Sequence, residues 1–222
     1  PMQAVHCSCK IAYSGYSGMA KRPEFKSDEH LAEIEYRTCI RHSSMKTTEN
    51  IGNSYFKILQ EIKDQAGRLA FAKYEKACYK LLKNVFSDDL ALWREQKKSN
   101  KELYRFDLLC RIKDGNQKTF WSILERYFNS KYVVFEFKNY SEKITHKEIY
   151  TTERYLYAKT LRSVAIIVSA NGYEKNAYWA AKGSLRENGK LIMLFDTQDL
   201  IEMNKMKIEQ EDPANYLLDR LD

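Results

Sequence analysis

Apolar and polar positions along this chain change period several times, and each change marks an element. Phe71, Tyr74, Cys78, Leu81 and Val85 recur at helical spacing, as do Leu59, Ile62, Ala66 and Leu69 before them, with Gly67, inside that earlier set, as a break or a close packing point. Ser87-Asp88-Asp89 ends that stretch. Leu90–Trp93 reads as a short strand, the lysine-rich 94–102 as a hairpin or loop, and Leu103–Ile112 as a strand with Asp107 inside it. Lys118–Phe128 has one apolar helical side, Phe120, Ile123, Leu124 and Tyr127. Tyr132–Lys138 is β-prone throughout. Thr145-His-Lys-Glu148 has capping-box spacing and predicts a helix running to about Lys159. Val164–Val168 and Leu191–Phe195 are continuous apolar runs, the pattern of strands covered on both faces. Between them Glu174–Leu185 is helical and Asn188-Gly189 closes it. Asp196 caps a further helix ending near Met206, and a short helix follows Pro213. Helix, strands and then β-α-β-α-β imply a mixed α/β sandwich.

Residues 1–52 are rich in glycine, serine and charge, with a candidate helix at 28–37. They read as an N-terminal appendage, a flexible or peripheral arm, ahead of a domain spanning 53–222 with a C-terminal helical tail. The start lacks the charged and long apolar segments of a signal peptide, and no apolar run is long enough for a membrane span. The five cysteines, 7, 9, 39, 78 and 110, are odd in number, and Cys78 and Cys110 fall in apolar patterns. This fits reduced thiols and a cytoplasmic location. His6, Cys7, Cys9, Cys39 and His42 match no closed zinc spacing. A net charge of +7 favours polyanionic partners mildly. No P-loop, dinucleotide fingerprint or Gly-x-Ser-x-Gly elbow is present.

The chemistry concentrates in Val133-Val-Phe-Glu-Phe-Lys-Asn-Tyr140. Glu136 and Lys138 are two residues apart on a strand, so they share one face about 7 Å apart, while Phe135 and Phe137 take the other. Charges inside a core-like strand cost several kcal/mol unless paired or metal-bound. Asp107 is a second acid in a strand-like run, and a neighbouring strand brings it within about 5 Å of the central one. Taken alone, Asp107 reads rather as a partner of Arg105 or a neighbouring lysine at the strand end, and it is Glu136 that turns the reading toward chemistry. Glu75 lies on or beside the packed face of its helix. Two carboxylates with carbonyl or water ligands suit Mg²⁺, which polarises a scissile phosphate and lowers the pKa of bound water. In such a site Lys138 orients or helps deprotonate the water, or balances charge.

Asp107 followed by Glu136-x-Lys138 at a strand end, then a helix and Ala165-Ile-Ile-Val-Ser169, resembles the PD-(D/E)xK nuclease superfamily and its restriction-endonuclease-like members, the Mrr-type branch included. The resemblance covers roughly residues 68–206. No proline precedes Asp107, and a helix over 117–129 separates the two acidic strands. The resemblance implies a restriction-endonuclease-like mixed β-sheet core flanked by helices. It implies Asp107 and Glu136 as metal ligands, Glu75 as an auxiliary one from the first core helix, and Lys138 serving the water. It further implies a Mg²⁺-dependent endodeoxyribonuclease, with Mn²⁺ as a substitute, leaving 5′-phosphate and 3′-hydroxyl ends. Duplex DNA is the expected partner, cut in defence against foreign DNA, repair or recombination, with a homodimer and a sensor or targeting module as further expectations. The alternatives are an RNA or single-strand nuclease and a catalytically inactive nucleic-acid-binding domain. Lys73, Lys76, Lys80 and Lys83, the loop 97–101, Arg154 and Lys159 are candidate phosphate contacts, and Asn139 and Tyr140 are candidates for substrate contact or for fixing the strand end.

Overall fold

The computed structural model describes residues 71–95 and 106–221, the backbone of 98–99 and 104–105, and the isolated positions Ser54, Lys57 and Gln60. The chain divides into two units between Ser43 and Ser44, and every element described below belongs to the second. The expected appendage 1–52, the repeat from Leu59 to Leu69 and the His6–His42 histidine and cysteine set lie outside the described residues.

A central sheet is built from β1 (Leu90–Glu95), β4 (Leu108–Ile112), β5 (Tyr132–Lys138), β6 (Val164–Ser169) and β7 (Leu191–Asp196), in that spatial order. The β1–β4 and β4–β5 pairs are antiparallel, and β5–β6 and β6–β7 are parallel. A separate two-stranded ribbon, β2 (Lys98–Ser99) with β3 (Tyr104–Arg105), fills the hairpin expected there. The helices are α1 (Phe71–Phe86), α2 (Thr119–Tyr127), α3 (His146–Glu153), α4 (Lys175–Asn188), α5 (Thr197–Ile208) and α6 (Pro213–Asp219). This is a mixed β-sheet core flanked by helices.

Strand alternation decides which helices cover which face. Leu108, Cys110, Val133, Phe135, Phe137, Ile166, Val168 and Phe195 pack with α1, α2, α5 and α6. Leu109, Val134, Ala165, Ile167, Ile192 and Leu194 pack with Ile149 of α3 and Ala177 and Ala181 of α4. Both faces of β6 are therefore apolar, which is why its sequence shows no alternation. Glu136 and Lys138 share the parity of Val134, so they belong to the α3–α4 face.

Local signals act where the pattern placed them. Thr145 caps α3 with a complete capping box, its N–H donating to Glu148 Oε2 at 2.7 Å. Asp196 accepts from Gln198 N–H (2.7 Å) and Asp199 N–H (3.1 Å) at the start of α5. Gly189 ends α4 at φ +61°, the left-handed conformation a side chain resists. Cys78 and Cys110 are buried free thiols, and burial pushes Cys78 up to about 12. Among the described residues no helix is long and apolar enough to cross a membrane.

Three expectations need correction. Asp107 is not inside a strand: it occupies a bend between β3 and β4. The helix begun by Thr145 stops at Glu153 rather than near Lys159. Tyr155 N–H and Leu156 N–H turn back to the Thr152 and Glu153 carbonyls, both side chains drop into the core, and a 3₁₀ turn follows at Ala158–Thr160. Phe71 continues the helical repeat but is exposed, because it stands at the first position of α1, beyond the packed stripe.

Candidate functional site

The antiparallel register of β4 on β5 pairs Leu108 with Phe135, so the next step outward sets Asp107 opposite Glu136. Asp107 Oδ2 accepts the Phe137 N–H at 2.8 Å, which fixes the bend onto the central strand. Phe106, fully buried, anchors the same bend: its ring meets Tyr155 edge-on at 5.4 Å and takes the Arg162 guanidinium at 4.5 Å. Arg162 Nε also donates to the Tyr155 carbonyl at 3.1 Å.

Glu136 and Lys138 do face the same way. Lys138 Nζ donates to Glu136 Oε2 at 2.7 Å, and their side chains are 17% and 2% exposed respectively. Burial raises the Glu136 carboxyl to about 7; the Lys138 charge opposes this and the Asp107 charge adds to it. Burial alone would lower Lys138, but the carboxylates of Glu136 and Asp107 outweigh it and hold the ammonium above its ordinary value. At neutral pH the centre thus holds a permanent cation touching a carboxyl group poised to exchange its proton.

Two further groups join these residues that sequence reading did not assign to the site. Tyr155 is buried, and its phenol is raised to about 12, first by burial and then by the charge of Glu136. Helical periodicity counts Tyr155 with Ile149 and Leu156 as an apolar position of a helix that in fact ends at Glu153, and it is the turn after that end that packs Tyr155 into the core. Ser169 is fully buried at the end of β6, in parallel register with Lys138, and its Oγ has no hydrogen-bond partner. The signal was a serine closing an apolar strand, but its value depends on a register that one strand's sequence does not contain.

Loop stitching holds this end of the sheet. Ala170 N–H donates to the Lys138 carbonyl at 2.9 Å. Asn171 Nδ2 donates to the carbonyls of Tyr140 (2.9 Å) and Ser141 (2.7 Å). The Ile144–Tyr173 bridge then ties the entrances of α3 and α4 together, and His146 N–H reaches Asn176 Oδ1 at 3.1 Å. Asn139 is buried and Tyr140 exposed.

Glu75 is placed differently. It is buried on α1, the helix that packs on the Phe135–Phe137 face, and its charge acts on Cys78. The expected Mg²⁺ site, with Mn²⁺ as substitute, is therefore corrected. Among the described residues no group of three or more His, Cys, Asp and Glu side chains is gathered to hold a metal ion. Asp107 and Glu136 are brought together without Glu75, and one oxygen of each is engaged, by the Phe137 N–H and by the Lys138 ammonium. The donor set does not fit the ion, and the metal-binding roles given to Asp107, Glu136 and Glu75 fall with it. Of the candidate phosphate contacts, Lys73, Lys76, Lys80 and Lys83 are exposed on α1, in the layer opposite Glu136 and Lys138, whereas exposed Arg154 and Lys159 follow α3 on the same side.

No protein-family model matches the chain, and no match is found among curated proteins or solved structures. Neither a class nor a family is therefore assigned by comparison, and the functional reading rests on the geometry.

Proposed function

We propose that this chain hydrolyses phosphodiester bonds of DNA at the Asp107–Glu136–Lys138 centre, as a restriction-endonuclease-like domain of PD-(D/E)xK type. The observation that carries the reading is the 2.7 Å contact between a permanent ammonium and a carboxyl group titrating near neutrality, with Asp107 locked beside them on Phe137 N–H. The sheet order supports it: an antiparallel pair, β4 entered from the Asp107 bend and β5 carrying Glu136, is followed by the parallel strands β6 and β7, and the polar groups collect at the carboxyl ends of β5 and β6.

A phosphodiester resists attack because nucleophile and substrate are both electron-rich. Lys138 draws the phosphate in and stabilises the negative charge that grows on its oxygens. Ionised Glu136 takes a proton from water as the water oxygen bonds to phosphorus. The bond from phosphorus to the leaving oxygen breaks, that oxygen takes a proton from solvent, and Glu136 returns its own to solvent. Held above its ordinary value, Lys138 serves by charge and not as the base. Asp107 keeps Glu136 in register and, by its charge, near neutrality.

The test is cleavage of supercoiled plasmid, linear duplex, single-stranded DNA and RNA by wild type and Asp107→Ala, in matched buffers with and without divalent cations. Cleavage by the wild type that is lost in the variant is expected. Folded wild-type protein that cuts none of the polymers would overturn the hydrolase reading and leave a nucleic-acid-binding domain.

A further inference from the structure

Trp179 is 59% exposed, an unusual position for a large apolar ring in a domain that buries Trp121 completely. Its surroundings are not random. Lys175, Trp179, Lys182 and Arg186 follow one another at spacings of four, three and four on α4, and all four are exposed. They form one outward stripe, opposite the buried Ala177, Ala181 and Ser184. Tyr178, also exposed, stands edge-on to Trp179 with ring centres 5.5 Å apart, and Lys182 Nζ lies 4.9 Å from the Tyr178 ring. Arg186 is shared with Glu187 at 2.8 Å, an exposed pair that phosphate competes with readily.

The stripe begins at the reaction centre's end of the sheet. The entrance of α4 is stitched to that of α3 by Glu174 N–H donating to the Ile144 carbonyl at 2.9 Å. On α3, exposed Tyr150 stacks edge-on with His146 at 5.8 Å, and Tyr140 is exposed on the loop leaving Lys138. Beside the stripe opens a cleft of about 270 Å³ whose lining includes Tyr173, Tyr178, Lys182, Leu185 and Arg220. Exposed aromatic faces alternating with lysines match one polymer, a strand whose phosphates meet the cations and whose unpaired bases stack on the rings. A duplex keeps its base faces inside and offers them nothing to stack on.

We propose that α4 is a binding track for single-stranded nucleic acid, with Trp179 and Tyr178 as base-stacking platforms and Lys175, Lys182 and Arg186 as phosphate contacts. This rests on the proposed reaction only in saying what the track feeds; the binding itself stands on the stripe.

The test is fluorescence anisotropy of labelled 20-nucleotide single-stranded DNA, its duplex, and single-stranded RNA of the same sequence. Wild type, Trp179→Ala and Lys175→Gln/Lys182→Gln are compared, with cleavage measured in parallel. The substituted side chains are exposed, so unchanged melting temperatures are expected. Trp179→Ala should weaken single-strand binding about tenfold, since stacking on an aromatic contributes about 1–3 kcal/mol per base. It should leave duplex binding within about twofold. The double lysine variant should reduce the salt dependence of log K by about 1.4, at about 0.7 per phosphate contact on single strands. Equal loss on DNA and RNA is expected if the bases and phosphates alone are read, and loss on one of them narrows the polymer. Wild type that fails to bind single strands, or variants that bind them as wild type does, overturns the track. A change in sedimentation with unaltered nucleic-acid binding assigns the stripe to a second copy and overturns it too. Track binding without cleavage refutes the hydrolase instead, and single-strand binding weakened by Trp179→Ala with cleavage unchanged keeps the track and refutes only its feeding the reaction centre.

Discussion

Removing the Glu136 carboxylate while keeping its shape, by Glu136→Gln, leaves the Lys138 ammonium buried beside an amide. Breaking a buried ion pair typically costs about 3–5 kcal/mol, because the surviving charge stays desolvated. Two features reduce that here. Lys138 keeps 17% of its side chain exposed and can lean toward water, and Asp107 remains as a second negative neighbour. We expect a loss of about 2–3 kcal/mol at the acid end of the range, shrinking as pH rises to about 7 because the ionised Glu136 no longer contributes stability there. With a urea m-value of about 2 kcal/mol/M, this lowers the unfolding midpoint by about 1–1.5 M. Lys138→Met acts differently, since Glu136 can escape its own penalty by taking a proton. Without the lysine its carboxyl rises further above 7, so this variant should lose less stability at pH 6 than at pH 8. The double variant, Glu136→Gln/Lys138→Met, removes both charges and should recover about 2 kcal/mol relative to the sum of the singles. The assay is urea unfolding of all four proteins at pH 6 and pH 8, followed by circular dichroism. A coupling below about 0.5 kcal/mol at both pH values would refute the claim that the two charges hold each other in the sheet.

The remaining predictions concern the titration of the site and the backbone. Asp107→Asn keeps an acceptor for the Phe137 N–H but removes the charge that raises Glu136, so the Glu136 midpoint should fall below about 7 by carboxyl-carbon NMR. An unmoved midpoint would separate Asp107 from the centre. For wild type, the folded Glu136 value lies above the ordinary 4.5, so its contribution to stability is full below 4.5 and is lost as pH rises to about 7. Lys138 keeps its contribution throughout that window, because its raised value acts only at higher pH. The stability gap between wild type and Glu136→Gln should therefore shift in favour of Gln by up to about 3 kcal/mol between pH 4.5 and 7, at 1.36 kcal/mol per pKa unit. A gap constant across that range would contradict the raised carboxyl. Gly189→Ala meets no atom within 4 Å but must hold φ +61°, so thermal unfolding should show a loss of about 1 kcal/mol; an unchanged melting temperature would mean the end of α4 relaxes freely.

What the sequence determined by itself was local or periodic. The strand Tyr132–Lys138, the double-covered strands β6 and β7, the Thr145 and Asp196 caps and the Gly189 stop were legible because each depends on residues within a few positions of one another. The shared face of Glu136 and Lys138 followed from the two-residue period of a strand. Tertiary structure decided everything that depended on register and layer. It set Asp107 opposite Glu136 from a bend rather than from within a strand. It placed Glu75, correctly read as lying on a packed helix face, under the other side of the sheet, which dissolved the expected metal ligand set. It brought Ser169 level with Lys138 and packed Tyr155 against Phe106, near enough for the charge of Glu136 to act on its phenol. The exposed stripe on α4 was hidden for the same reason. Trp179 reads as an apolar helix position like its neighbours, and only the choice of which face meets the sheet, made by the small residues Ala177 and Ala181, turns it to water. Periodicity tells which residues lie together on an element, and it is packing between elements that decides which way that set is turned.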